Sequence, residues 1–223
     1  KENSKNLFLN FWNIPEDDIR RSRKGLYHDL LYNIGNKKLQ ILLLDTRTFR
    51  DKLTPSDKIG APGKERYIPN KDSSLTILGK EQWKWLKKKI LEPADFRIIA
   101  SSIQFLPIGH GWESWNNFPY ERKRLINIIN SAISNNILII SGDRHRGGAY
   151  QLKTNKGIII SEMTSSSLNA SFKNSEEFGP LRIGNTFIEE NYGEINFNSL
   201  KNTISVNLKN INGEILKSLI IKI

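Results

Sequence analysis

Ile137-Leu138-Ile139-Ile140 is an unbroken aliphatic run that ends in Ser141-Gly142-Asp143-Arg144-His145. A strand without polar alternation is apolar on both faces, so it belongs inside a sheet that is covered on both sides. That commits the chain to a layered α/β architecture. In open α/β sheets, ligands bind beyond the carboxyl ends of the strands. Here the strand stops at a glycine and then offers a carboxylate and an imidazole two positions apart. A hard oxygen and an imidazole nitrogen are good metal ligands. The same pentapeptide also reads as a Gly-Asp turn with His145 an ordinary polar loop residue, and the motif alone leaves both readings open.

Periodicity places the other elements. Residues 4–12 predict a short helix with Leu7, Phe8 and Phe11 on one face, ended by Pro15. Residues 26–32 and 39–44 predict a hairpin around Gly35-Asn36; its second arm is apolar enough to be central and ends in Asp45-Thr46-Arg47. Residues 54–74 hold Pro55, Gly60, Pro62, Gly63 and Pro69 and predict a long loop, of the kind that is usually functional or mobile. Residues 79–91 predict a helix with Trp83, Leu86 and Ile90 on one stripe. Residues 96–103 predict a strand running into Gln104. Pro119 opens a helix with Leu125, Ile128, Ile129 and Ile133 as its stripe.

Beyond the pentapeptide, strands are predicted over 149–153, 157–163, 194–197, 203–208 and 215–221. Asn212-Gly213 joins the last two as a hairpin turn. Residues 165–191 are polar and irregular. Alternating β and α followed by a run of strands predicts a mixed sheet packed on a second sheet, with helices outside. No linker, repeat or low-complexity tract divides residues 1–223, so one domain is expected.

The 223 residues carry a net charge of +11, scattered rather than clustered; the densest runs are Arg20-Arg21-Ser22-Arg23-Lys24 and Lys87-Lys88-Lys89. Scatter of this kind predicts solvated faces and no specific nucleic-acid partner, although a positive field attracts anionic substrates. Cysteine is absent, which excludes disulfides, thiolate catalysis and zinc–thiolate sites. No apolar run approaches the roughly 18 residues that a membrane-spanning helix needs. The chain opens on Lys1 without an initiator Met, so its native start, any signal peptide and its oligomeric state are out of view.

Three predicted central strands therefore end in reactive side chains: Asp45 and Arg47, Ser102 and Gln104, Asp143 and His145. Neighbouring strand ends lie side by side, so these groups can converge. The inventory suits phosphoryl chemistry. A carboxylate and an imidazole hold a cation, a cation polarises a phosphoryl oxygen and acidifies bound water, and a guanidinium forks onto phosphate oxygens. Each residue also has a plain structural use: Asp45 in a turn or paired with Arg47, Gln104 on buried backbone, His110 as a surface loop residue, Trp112 and Trp115 as loop anchors.

The motifs resemble one family. The runs Gly25-Leu26-Tyr27-His28, Gln40-Ile41-Leu42-Leu43-Leu44-Asp45-Thr46-Arg47-Thr48-Phe49-Arg50-Asp51 and Leu78 to Leu86 are similar to the alkaline phosphatase D (PhoD-like) metallophosphatases. So are Ser101 to Gln104, His110-Gly111-Trp112-Glu113, Asn117 to Arg122, Ser141 to His145, Glu162-Met163-Thr164-Ser165-Ser166 and Asn191 to Ile195. The resemblance implies a calcineurin-like α/β/β/α sandwich with mixed sheets. It implies hydrolysis of phosphomonoesters or phosphodiesters at a two-metal site, with calcium and iron suggested as the ions, and export to the periplasm or outside. It carries Asp143 and His145 over as metal ligands. It places Asp45, Arg47, Gln104 and His110 at the chemistry, and Arg47, Trp112 and Arg144 on the substrate.

The chain departs from the family in one respect. The Gly-Asp and Asp-Asp-His motifs that bring most of the metal ligands lie upstream of residues 4–12 in the family, and neither occurs here. The expectation is a C-terminal two-thirds of the family domain, inactive by itself, with apolar faces and a sheet edge exposed. The competing expectation is a non-catalytic basic relative that binds anions or nucleic acid. A third is a hydrolase using Ser102 or Ser141 as nucleophile, though neither lies in a Gly-x-Ser-x-Gly elbow.

Overall fold

The structure, a computed structural model, describes residues 2–132, 136–172 and 179–223; Ile133 of the predicted helical stripe lies outside them. The hairpin forms as expected: β1 (His28–Ile34) runs antiparallel to β2 (Lys37–Leu43) around Gly35, whose φ of +61° suits glycine. Next come β3 (Phe96–Ala100), β4 (Asn136–Ser141), β5 (Gly147–Lys153) and β6 (Ile159–Ser165). They complete a six-stranded mixed sheet of order β1-β2-β3-β4-β6-β5, with β2, β3, β4 and β6 mutually parallel. Parallel neighbours need a crossover connection. Helix α3 (Gly79–Ile90) supplies one between β2 and β3, and α4 (Pro119–Ile129) one between β3 and β4.

Side chains on a strand alternate between faces. Ile137 and Ile139 of β4 therefore join Leu42, Ile99 and Ile160 against Trp83, Leu86 and Ile90 of α3 and Leu125 and Ile129 of α4. Leu138 points the other way. With Ile98, Ala149 and Met163 it meets Ile204, Val206 and Leu208 of β8 (Thr203–Asn210) and Ile221 of β9 (Ile215–Lys222). These two strands and β7 (Asn191–Asn198) form a three-stranded antiparallel sheet turned at Gly213. The order helix, sheet, sheet is that of the expected sandwich. An aliphatic β4, buried on both faces, is what such stacking requires.

The first helix departs from its expected orientation. In α1 (Glu2–Phe11), the apolar face of Leu7, Phe8 and Phe11 that the sequence predicts is exposed, as is Trp12. The buried pair is Lys5 and Leu9, one turn apart. The Lys5 ammonium donates to the carbonyls of Arg21 (3.3 Å) and Arg23 (3.1 Å), at the C-terminal end of the short α2 (Ile19–Ser22). Those carbonyls and Leu9 set the docked face, leaving the aromatic stripe to solvent. A crevice of about 440 Å³ opens between the sheets, walled by Leu43, Leu44, Ile140, Met163, Ile195 and Val206.

Candidate functional site

After β4 the backbone enters the left-handed region twice, at Asp143 (φ 66°) and His145 (φ 56°). Such conformations cost about 1–3 kcal/mol each and cluster where side chains must be aimed. Ser166 pins this turn: its hydroxyl accepts the Arg144 N–H (2.9 Å) and donates to the Arg146 carbonyl (3.3 Å). The His145 Nδ1 lies 3.1 Å from the Ala170 carbonyl, which only accepts, so Nδ1 carries the hydrogen. The imidazole stacks on Phe172 with centroids 4.4 Å apart and planes 6° apart. This leaves the Nε2 lone pair as the ring's open acceptor, the arrangement found in metal-bound histidines.

The Asp143 carboxylate is exposed and accepts no hydrogen bond from the described residues. Desolvation and the Glu113 carboxylate push its pKa up, opposed by the charges of Arg47, His145 and Arg50.

Asp143 and His145 share a cleft of about 240 Å³ with Arg47, Arg66, Tyr67, Trp112, Glu113, Arg144 and Phe172. Glu113 pairs with both Arg47 and Arg50. Arg47 itself remains 59% exposed at the mouth of the cleft. Arg144 is buried under the cleft with its guanidinium 5.0 Å from the Trp112 ring centre; Arg66 lies 5.6 Å from the same ring. Burial and the neighbouring Arg146 bring the Arg144 pKa down to about 10.

Arg47, Trp112, Arg144, Asp143 and His145 therefore come together as expected. Asp45, Gln104 and His110, expected at the chemistry, are not among the residues that line this cleft. The Asp45 carboxylate accepts the N–H groups of Leu26 (2.8 Å), Arg47 (3.0 Å) and Thr48 (2.8 Å) and the Thr48 hydroxyl (2.6 Å). Burial opposes its ionisation, but these bonds prevail and hold its pKa below the usual carboxylate range. Asp45 thus shapes the turn that carries Arg47. Gln104 donates to Tyr150 (3.3 Å) and Thr164 (3.0 Å) in the interior and faces His110 Nε2 at 3.2 Å.

The His110 Nδ1 accepts the Trp112 N–H at 3.2 Å, so Nε2 carries the hydrogen and no lone pair remains for a metal. Burial, reinforced by Arg144, lowers its pKa to about 4. An unfolded histidine takes up a proton near pH 6.5, so the unfolded state binds more protons between about pH 4 and 6.5. Stability should therefore fall by about 3 kcal/mol at most as pH drops through that window, full loss coming only below the folded pKa. Urea midpoints at pH 7 and pH 4.5 check this: His110→Gln should flatten the difference, and an unchanged pH slope would contradict it.

The serine-nucleophile expectation is not supported. Ser102 bonds to Thr46, and Ser141 to Glu162 (2.6 Å) and Thr164 (2.9 Å); neither hydroxyl meets a histidine. Sequence reasoning missed Arg66, Tyr67, Glu113 and Phe172 as cleft residues. Glu113 directly follows Trp112, which was a usable signal; Arg66, Tyr67 and Phe172 lie in segments without periodicity.

A family model described as PhoD-like phosphatase matches residues 14–211. The chain belongs to the PhoD-like phosphatase family. Among curated proteins it is similar to alkaline phosphatase D of Bacillus subtilis (strain 168), 32% identical over 142 residues. That alignment takes in 57% of this chain and 24% of the relative, so the chain spans about a quarter of that protein's length. Its fold is similar to that in "Structure of PhoD", with a TM-score of 0.65 at 21% identity over 95% of this chain and 44% of that one. It is also similar to "GAP50 the anchor in the inner membrane complex of Plasmodium", with a TM-score of 0.57 at 15% identity over 89% of this chain and 54% of that one. At these identities the two structures speak for the PhoD-like fold alone.

Proposed function

We propose that this PhoD-like chain carries part of the site of a metal-dependent phosphate-ester hydrolase, and that the remaining ligands come from a preceding segment of a longer domain. The observation that carries this reading is the pairing in one cleft of an unbonded carboxylate, Asp143, with a histidine whose Nε2 lone pair is left open. Both are ordinary donors for a divalent or trivalent cation. Among the described residues no group of three or more His, Cys, Asp or Glu gathers to complete a shell.

When bound, such ions would polarise a phosphoryl oxygen and supply a reactive water. Asp143 and His145 would hold them, the latter oriented by the Ala170 carbonyl and Phe172. Arg47, braced by Glu113 and by the Asp45 turn, would fork onto phosphoryl oxygens. Trp112 would form the substrate wall, with Arg144 beneath it in cation–aromatic contact.

The complete natural protein should hydrolyse an aryl phosphate in alkaline buffer with added divalent cation, lose activity to a chelator and regain it with metal. Residues 1–223 alone should release no product above background. Phosphate binding by the complete protein without turnover in any of calcium, iron, manganese or zinc would favour the non-catalytic anion binder instead. The arginine-rich lining of the cleft, with its Glu113 carboxylate tied up by Arg47 and Arg50 and no metal-holding group of three among the described residues, is what favours that second reading.

A further inference from the structure

A second concave surface lies on the helical layer, between α3 and α4, and shares no lining residue with the cleft described above. It encloses about 820 Å³. Ile128 and Leu91 are its solvent-reaching apolar positions, over a floor of Trp83 and Ile90; Leu91 is 46% exposed. Its rim is cationic. Lys80, Lys84 and Lys87 follow one another four and three residues apart, so they share one face of α3. Arg124 of α4 faces them with its guanidinium 4.4 Å from the centre of the Trp83 ring.

The three lysines form no ion pair or hydrogen bond among the described residues, and all are exposed. Lys89 on the same helix does: it pairs with Asp29 at 2.9 Å and Glu92 at 3.1 Å. The fold neutralises a cation where α3 turns toward the sheet and leaves three unneutralised along the groove. Like charges at this spacing repel along a helix face, a repulsion that an anionic occupant would relieve.

We propose that this groove docks an acidic amphipathic helix of a partner protein. A trough between two helices accepts a third helix, and apolar positions set between cationic ones match leucines flanked by carboxylates. A bilayer is a flat surface and does not follow the trough between two helices down to its Trp83 and Ile90 floor. A nucleic-acid backbone has no apolar face to lay on them, and Trp83, buried at 1% exposure, offers no stacking platform.

The test uses the complete natural protein and a labelled synthetic peptide. The peptide is an 18-residue helix with leucines at i, i+3, i+4 and i+7 and glutamates elsewhere. Fluorescence anisotropy in about 0.1 M salt should give a dissociation constant on the order of 10 μM, as for a small transient interface. Lys80→Gln/Lys84→Gln/Lys87→Gln should weaken it about tenfold, and the Glu triple variant further, since exposed rim charges contribute modestly but add up. A peptide of the same composition with its leucines scattered round the helix should bind at least about tenfold more weakly, having lost the apolar match. Aryl phosphate hydrolysis should be unaffected in these variants, which separates this test from that of the cleft. Equal binding of the scattered peptide, no effect of the lysine changes, or tighter lysine-dependent binding of duplex DNA or of phosphatidylserine vesicles would each overturn the proposal.

Discussion

Changing His145 to alanine in the complete protein should lower kcat/KM for an aryl phosphate by about a hundredfold or more, equivalent to roughly 3 kcal/mol of transition-state stabilisation. The expectation follows from the ring's surroundings. Its Nδ1 hydrogen is committed to the Ala170 carbonyl and its face to Phe172, so the ring is oriented with Nε2 toward the ligand before any ligand arrives. Alanine removes the donor atom as well as that preorganisation. Cation affinity, measured by titration calorimetry on the metal-free protein, should fall in parallel. Phe172→Leu removes only the stacking partner and should lose less, about tenfold, in line with changes to groups that orient a ligand. A His145→Ala protein within tenfold of the natural rate would remove the imidazole from the proposed site.

How far such a site is legible in sequence depends on which information is local. The strand Ile137–Ile140, the glycine stop and the Asp143/His145 spacing are local, and all three stand in the structure as read. The same holds for the Asn212-Gly213 turn. What a strand end does not encode is the direction of a side chain a few residues further on. Gln104 and His110 follow β3, yet they turn inward because each completes the other's hydrogen bonding, with Tyr150, Thr164 and the Trp112 N–H as further partners. Asp45 turns back to bond Leu26, nineteen residues earlier.

The long loops are harder still. Arg66 and Tyr67 reach the cleft because both their N–H groups bond the Gly111 carbonyl, at 3.1 and 2.7 Å. Phe172 reaches it because its N–H bonds the His145 carbonyl at 3.0 Å. Those contacts join distant parts of the chain, and no periodicity announces them. On α1 a local pattern pointed the wrong way, because two carbonyls near α2 outweighed three apolar side chains in choosing the docked face.

The second large effect is on stability. Glu162 sits in the middle of β6, fully buried, where a charged residue would ordinarily be excluded. Its Oε1 accepts the Phe105 N–H at 3.0 Å and the Ser141 hydroxyl at 2.6 Å, and its Oε2 accepts the Leu106 N–H at 2.5 Å. Arg122 completes the clamp, donating to the Phe105 and Leu106 carbonyls at 2.9 and 3.0 Å. One anion and one cation thus satisfy both polar groups of a two-residue backbone segment inside the core, and hold Phe105 against Trp115 at 5.4 Å. Burial pushes the Glu162 pKa up, against the pull of its three donors and of Arg122.

Glu162→Ala leaves two buried N–H groups unsatisfied and Arg122 without its nearby anion. Breaking a buried network from one side costs about 3–5 kcal/mol. Glu162→Gln should also destabilise, by about 1–3 kcal/mol, because its amide nitrogen would face a donor whichever way it turns. Denaturant unfolding of the complete protein should rank wild type above Gln and Gln above Ala. At roughly 2–4 °C per kcal/mol for a domain of this size, the alanine variant should melt about 10 °C lower. Because Ser141 leads directly into Gly142 and Asp143, the alanine variant should also loosen the turn that aims Asp143 and His145. Its cation affinity should therefore fall even at temperatures where it remains folded, whereas an affinity equal to wild type would mean that the turn is held by Ser166 alone.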